Sequence, residues 1–204
     1  MSISFSAGNS GVDANADGSV DLDSLGSPAS AKNVISVGAS ENDRAADYAC
    51  DAATFAACRD QGGQNPILPY GTSWPSQFPA PPLAGDPAAG DAEQMAAFSS
   101  RGPADDGRIK PDVVAPGTWV LSGYSDLYQE CYDAAANKQN GKYQYDGWGL
   151  PLNAGYKYMG GTSMANPIVA GGAAVVRDFY QKVHARAASA ALVKATLVNS
   201  AHDL

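Results

Sequence analysis

The sequence predicts an α/β fold built around a mostly parallel sheet. Two kinds of segment predict it: short β-branched runs closed by glycine or bounded by proline, which read as buried strands, and two helices that finish the chain. Abundant Gly, Pro and Ala suit a compact fold with many tight turns.

In chain order, residues 3–5 read as a short strand end running into Ala7-Gly8-Asn9-Ser10-Gly11, and an acidic loop follows over 13–23. Residues 33–39 (Asn-Val-Ile-Ser-Val-Gly-Ala) form a buried strand. From about 47 to 94 the chain is rich in Pro, Gly, Ala and Gln, with seven prolines from Pro66 to Pro87, and reads as a loop insertion rather than a packed element. Order resumes at 95–98, and a turn-rich stretch leads to short strands at 113–115 and 119–122. Residues 124–158 read as a second loop insertion, holding seven of the ten tyrosines. The first helix runs from Thr162 or Ser163 to about His184, with Ile168, Val169, Gly172, Ala173, Val176, Phe179 and Tyr180 at helical spacing. The second runs over about 189–200, with Ser189 as its N-cap.

Bulk properties narrow the function classes. The 204 residues are 45% hydrophobic, enough for one domain with a real core. A net charge of −8 argues against nucleic acid or an anionic membrane as the main partner. No apolar run approaches the roughly 18 residues of a membrane span. The first eight residues lack the basic and apolar regions of a signal peptide, which suggests that the chain begins mid-protein. Of the three cysteines, Cys50 and Cys58 could bridge in an oxidising compartment, whereas Cys131 has no evident partner; three unpaired thiols fit equally well, and a zinc site is disfavoured.

Chemistry concentrates in Met159-Gly160-Gly161-Thr162-Ser163-Met164-Ala165-Asn166-Pro167. Two glycines end a loop, a serine opens a helix, and Pro167 is read into the first turn, where a missing N–H is tolerated. Free N–H groups and the helix dipole favour negative charge there, which acyl transfer generates on the substrate oxygen. Ser163 could instead be a simple cap. The whole string, however, resembles the nucleophile motif Gly-Thr-Ser-Met-Ala-x-Pro of the subtilisin-like serine proteases (subtilases). The segment Ser6-Ala7-Gly8-Asn9-Ser10-Gly11 resembles the one whose asparagine donates into their oxyanion hole. Residues 31–39, 98–103 and 107–117 resemble further core segments of that family, in its order.

The resemblance implies a parallel-sheet, three-layer subtilisin-like fold, N-terminally incomplete, with residues 1–204 as the C-terminal part of a peptidase domain. It implies a serine endopeptidase acting on protein or peptide substrates through a Ser163 acyl-enzyme, with Asn9 and the Ser163 N–H holding the oxyanion, and secretion. A serine needs a base and a group to orient it. The family's Asp and His motifs precede Asn9 and are absent from this sequence. His184 lies about 30 Å along the helix from Ser163 at ~1.5 Å per residue, and His202 follows the last helix. The isolated chain is therefore expected to be inactive, its partner being the missing N-terminal half of the same domain. The alternative is a non-catalytic calcium- or peptide-binding remnant.

A separate motif, Asp13-Ala14-Asn15-Ala16-Asp17-Gly18-Ser19-Val20-Asp21, alternates oxygen-bearing side chains around a glycine. It resembles an isolated calcium loop with Asp13, Asn15, Asp17 and Asp21 as side-chain ligands and Ser19 through its carbonyl. A solvated acidic turn is the competing reading. Position twelve is Ser24 rather than Glu, so it is not an EF-hand.

Overall fold

The computed structural model describes residues 1–44, 68–123, 138–139, 143–144, 150–153 and 156–204. Cys50, Cys58 and Cys131, and with them any disulfide, lie outside the described residues.

Three parallel strands carry the core: β1 (Ser4–Ser6), β2 (Ile35–Ser40) and β3 (Val113–Pro116), in the order β1-β2-β3. The middle strand is buried at all six positions, which explains why its sequence is β-branched and small rather than alternately polar. Ile35, Val37 and Ala39 pack with Ala115 of β3, Ala96, and Ala165 and Val169 of the long helix. The opposite face admits no side chain at Gly38, where a Cβ would come within 2.8 Å of Pro111 Cγ and 3.1 Å of Met95 Cε. The chain is thus α/β, as the sequence predicts.

Three α-helices and a second sheet accompany these strands among the described residues. A short helix, α1, spans Tyr70–Ser73. The long helix α2 spans Thr162–His184, as expected, and ends on Ala185 at φ 49°. Helix α3 (Ala190–Asn199) packs Val193, Leu192 and Leu197 against Ala173, Val176 and Tyr180 of α2. The Ser189 Oγ caps α3 by accepting from the Leu192 N–H at 3.2 Å. Pro167 is the sixth residue of α2, not part of its first turn; its missing N–H leaves the Ser163 carbonyl without the usual helical donor.

Both stretches read as loops contain built structure. Within 124–158 the described residues include the antiparallel pair β5 (Lys138–Gln139) and β6 (Tyr143–Gln144), then β7 (Leu150–Asn153) and β8 (Tyr156–Met159). With β4 (Val120–Gly123) the last two form an antiparallel sheet in the order β4-β8-β7. Within 47–94, the part from Leu68 onward folds around its own core of Tyr70, Phe78, Ala88 and Ala97, with Trp74, Leu83 and Val20 against it. The Tyr70 and Phe78 rings meet edge-on at 5.2 Å between centroids. Phe78 is 1% exposed, so it supports this lobe rather than facing a ligand.

Candidate active site

Ser163 is the second residue of α2, and its side is exposed. The residue before the helix, Gly161, sits at φ 137°, a conformation that L side chains rarely adopt, so the loop from β8 turns sharply into the helix only because glycine stands there. Gly161 donates its N–H to the Gly117 carbonyl at 2.6 Å and accepts from the Met164 N–H at 2.9 Å. The strand loop before β4 therefore sets the level at which α2 begins.

Asn9 comes from the other end of the sequence, just beyond β1. Its Oδ1 accepts from the Thr162 N–H at 2.9 Å and from the Thr162 hydroxyl at 3.0 Å. The Thr162 Oγ1 in turn accepts from the Gly8 N–H at 3.3 Å. With Oδ1 accepting both bonds, the Asn9 amide nitrogen is the donor end of the side chain; Nδ2 lies beside Gly161, where an added Cβ would come to 3.3 Å from it. The two residues singled out in the sequence, Asn9 and Ser163, are therefore brought to one helix tip, with Thr162 as the joint between them.

The Asn9 segment is itself clamped by its neighbours. Ser10 donates its N–H to Ser100 Oγ at 3.0 Å, while the Ser100 and Gly11 N–H groups donate to the Gly8 and Phe98 carbonyls, both at 2.9 Å. These bonds explain why residues 98–103 and 6–11 belong to one site although 90 residues separate Ser10 from Ser100.

Neither histidine reaches Ser163. His184 is at the far end of α2, against Phe179 and Tyr180. His202 lies 3.1 Å from Glu93, on the surface. No histidine or carboxylate among the described residues hydrogen-bonds the Ser163 hydroxyl.

The acidic loop is held by its own side chains. Asp13, 1% exposed, accepts from the Asp17 N–H at 2.9 Å and the Gly18 N–H at 3.1 Å. Asp17 accepts from the Ser19 N–H and from Asn15 Nδ2, and Asp21 accepts from the Ala14 N–H. Gly18 has φ 83°, and a Cβ there would strike the Pro81 carbonyl oxygen at 2.1 Å, so the loop is packed against the 68–94 lobe. The Asp13 N–H also donates to the Gln77 carbonyl at 2.9 Å. Among the described residues no three Asp, Glu, His or Cys side chains converge on a point in this form.

Residues the sequence reading passed over also shape the site's surroundings. Glu41, at the end of β2, is 0% exposed and accepts from the Tyr70 hydroxyl at 2.5 Å, the Gly90 N–H at 3.0 Å and the Asp91 N–H at 3.3 Å. Burial raises its carboxyl above the usual range, the Asp86 charge adds to this, and the hydrogen bonds from Tyr70, Gly90 and Asp91 act the other way. Burial also pushes the Tyr70 phenol far up, with the Glu41 charge behind it. Asp112 bridges Lys110 at 2.7 Å and Lys194 of α3 at 2.9 Å, and accepts from the Ser36 N–H at 2.8 Å.

Comparison with known proteins bears on the family and the fold. Residues 1–204 match the family described as Peptidase_S8, the subtilase family. The chain is 36% identical over 85 residues to the serine protease/ABC transporter B family protein tagB of Dictyostelium discoideum, covering 42% of this chain and 4% of that protein. It is 39% identical over 94 residues to the subtilisin-like protease SBT4.7 of Arabidopsis thaliana, covering 45% and 11%. To the serine protease AprX of Bacillus subtilis it is 35% identical over 94 residues, covering 44% and 17%. Each match spans a minor part of the relative's length. No helix among the described residues is long and apolar enough to cross a membrane.

Proposed function

The chain belongs to the subtilase family, and from that premise we propose that it carries the nucleophile and oxyanion-binding side of a serine endopeptidase site. The observation that carries the reading is the double hydrogen bond from Thr162 to Asn9 Oδ1, which joins two segments 153 residues apart next to Ser163.

In this reading the Ser163 Oγ attacks the scissile carbonyl carbon. Its proton passes to a base supplied from outside this chain, and the carbonyl oxygen becomes the oxyanion. Asn9 Nδ2 and the Ser163 N–H donate to that oxygen, the latter aided by the dipole of α2. Collapse of the tetrahedral intermediate breaks the C–N bond, the base returns its proton to the departing amine, and water then hydrolyses the acyl-Ser163 ester. The substrate is a protein or peptide; the base and its orienting acid belong to the remaining half of the domain, and the isolated chain is inactive. We place the protein outside the cell.

A fluorophosphonate probe tests this. In the protein that contains this chain together with its family's Asp and His motifs, Ser163 is labelled and Ser163→Ala abolishes labelling; residues 1–204 alone are not labelled. Absence of labelling at Ser163 in the complete protein would favour a calcium- or peptide-binding remnant instead.

We also propose that the loop carrying Asp13, Asn15, Asp17, Ser19 and Asp21 takes a structural calcium ion. The support is its spacing of oxygen-bearing residues and the tight curl at Gly18. Binding would draw Asp17 and Asp21 off their present N–H partners and toward Asp13.

A further inference from the structure

The end of β2 continues into a segment whose contacts lead to the nucleophile by a route that does not pass through Asn9. Asn42 makes two hydrogen bonds to one residue: its backbone N–H donates to Thr118 Oγ1 at 2.8 Å, and its side-chain Nδ2 donates to the Thr118 carbonyl at 2.8 Å. Thr118 is 1% exposed. One residue earlier, the Gly117 N–H donates to the Ser40 carbonyl at 2.9 Å, and the Gly117 carbonyl accepts from Gly161 at 2.6 Å. Gly117 has no room to shift: a Cβ there would lie 2.4 Å from Ala39 Cβ and 3.0 Å from the Gly161 carbonyl oxygen.

We propose that Asn42 is a positioning residue for the nucleophile, acting through Thr118 and Gly117 on Gly161; this rests on the reading of Ser163 as that nucleophile. Thr118 is followed by Trp119 at φ 49°, a left-handed conformation costly for a bulky residue, so the 117–119 turn needs outside bonds to hold its shape. Asn42 supplies two of them. It satisfies both the hydroxyl oxygen and the carbonyl of a buried threonine, groups that would otherwise sit away from water unpaired. With that turn fixed, the Gly117 carbonyl presents a set point for the Gly161 N–H. Gly161 immediately precedes α2, so the set point becomes the height of Ser163 relative to Asn9. The neighbouring Glu41 and Arg44 N–H groups donate to the Gln94 and Ala89 carbonyls, at 2.8 and 2.7 Å, which fastens the same segment to the 68–94 lobe.

The test uses the complete protein, with its whole peptidase domain, and three variants. Asn42→Asp keeps the shape but places an oxygen against the Thr118 carbonyl. Thr118→Val removes only the accepting hydroxyl, and Thr118→Ser keeps it. Displacing reacting atoms by about 1 Å costs on the order of a hundredfold, so kcat on a peptide substrate falls roughly tenfold to a hundredfold in the first two variants, with KM within about twofold. The rate of fluorophosphonate labelling falls in parallel, and Thr118→Ser stays near wild type. An unchanged kcat in Asn42→Asp and Thr118→Val, or a loss accounted for entirely by the unfolded fraction in melting curves, overturns the positioning role. If Asn42→Asp does not fold, Asn42→Ala, which removes only the side-chain donor, is read in its place by the same criteria; the Val and Ser variants test the hydroxyl, which accepts from the backbone N–H of residue 42. A wild-type protein unlabelled at Ser163 overturns the nucleophile reading, and this role with it; a labelled wild type with indifferent variants overturns this role alone.

Discussion

Asn9 and Thr162 are bound twice, amide oxygen to backbone N–H and amide oxygen to hydroxyl, and this pair decides which end of the Asn9 side chain is left to act on a substrate. Oδ1 is doubly engaged as an acceptor, and Nδ2 is the end that donates to a substrate. In the complete protein, Asn9→Ala is expected to lower kcat by about 10²–10³, the range found for such a donor in subtilisin itself. KM should change little. Thr162→Val, which removes the hydroxyl between Asn9 and Gly8, should cost about 1–2 kcal/mol in stability and reduce kcat as Asn9 loosens; Thr162→Ser should recover both. Steady-state kinetics with chemical denaturation checks these outcomes.

Two glycines set the approach of the loops, for different reasons. At Gly161 the backbone lies at φ 137° and a Cβ would press on Asn9, so Gly161→Ala should cost about 1–3 kcal/mol and displace the donor as well. At Gly117 the obstacle is steric, with Ala39 Cβ 2.4 Å away, so Gly117→Ala should be the more damaging and yield little soluble protein. Expression yield and melting temperature rank the pair.

Asp112 ties α3 to the sheet through Lys194 and also pairs with Lys110, whose side chain is 2% exposed. Asp112→Ala strands that ammonium in the interior and should cost about 3 kcal/mol or more. Burial alone would raise the Asp112 carboxyl, but the bonds from Lys110, Ser36 and Lys194 together hold it below its ordinary 3.8. A carboxyl depressed in the folded state binds its proton more readily when unfolded. Its stabilisation is therefore complete above about 3.8 and is lost as pH falls through the lower folded value. Urea titrations from pH 2 to pH 6 should show Asp112→Asn converging on wild type at the acid end.

Glu41 has the opposite sign. Its folded value lies above its ordinary 4.5, so the folded chain holds this proton more tightly than the unfolded one. The resulting stabilisation is present below 4.5 and disappears as pH rises through the raised value. The groups facing it are Tyr70, Asp86, Gln94 and the N–H groups of Gly90 and Asp91. Glu41→Gln should flatten that part of the stability curve; thermal melts at a series of pH values that gave parallel curves for the two proteins would contradict this.

For the 13–21 loop, titration with Ca²⁺ should release or absorb heat and raise the melting temperature, and Asp13→Asn should abolish both. The same substitution without calcium tests the loop's own bonds, since Asp13 holds two backbone N–H groups.

The sequence made the helix tip legible because its requirements are local. Gly160-Gly161 before Thr162-Ser163 signals a turn into a helix, and the resemblance supplied Asn9 as the distant partner. Thr162 stood inside the same string, yet its role depends on a contact spanning 153 residues, and no local pattern carries that. Asn42 and Thr118, 76 residues apart, were hidden for the same reason. The 68–94 lobe was obscured differently: its prolines signal loop, but Tyr70, Trp74 and Phe78 recur every four residues and pack against one another in edge-on and tilted contacts. That aromatic spacing is the signal by which a packed lobe could have been recognised.

The proline inside α2 has a last consequence. Among the first six residues of that helix, Asn166 alone has an amide able to reach a carbonyl four places back within it; the earlier ones begin the spiral, and Pro167 has no amide hydrogen. The opening coil is thus fastened by guy-lines from elsewhere, from Gly117 and Asn9, and little by its own winding. Amide exchange should accordingly be slow at Thr162 while that tether is intact and quicken several-fold once Asn9 is truncated, with the distal coils of α2 indifferent to the change.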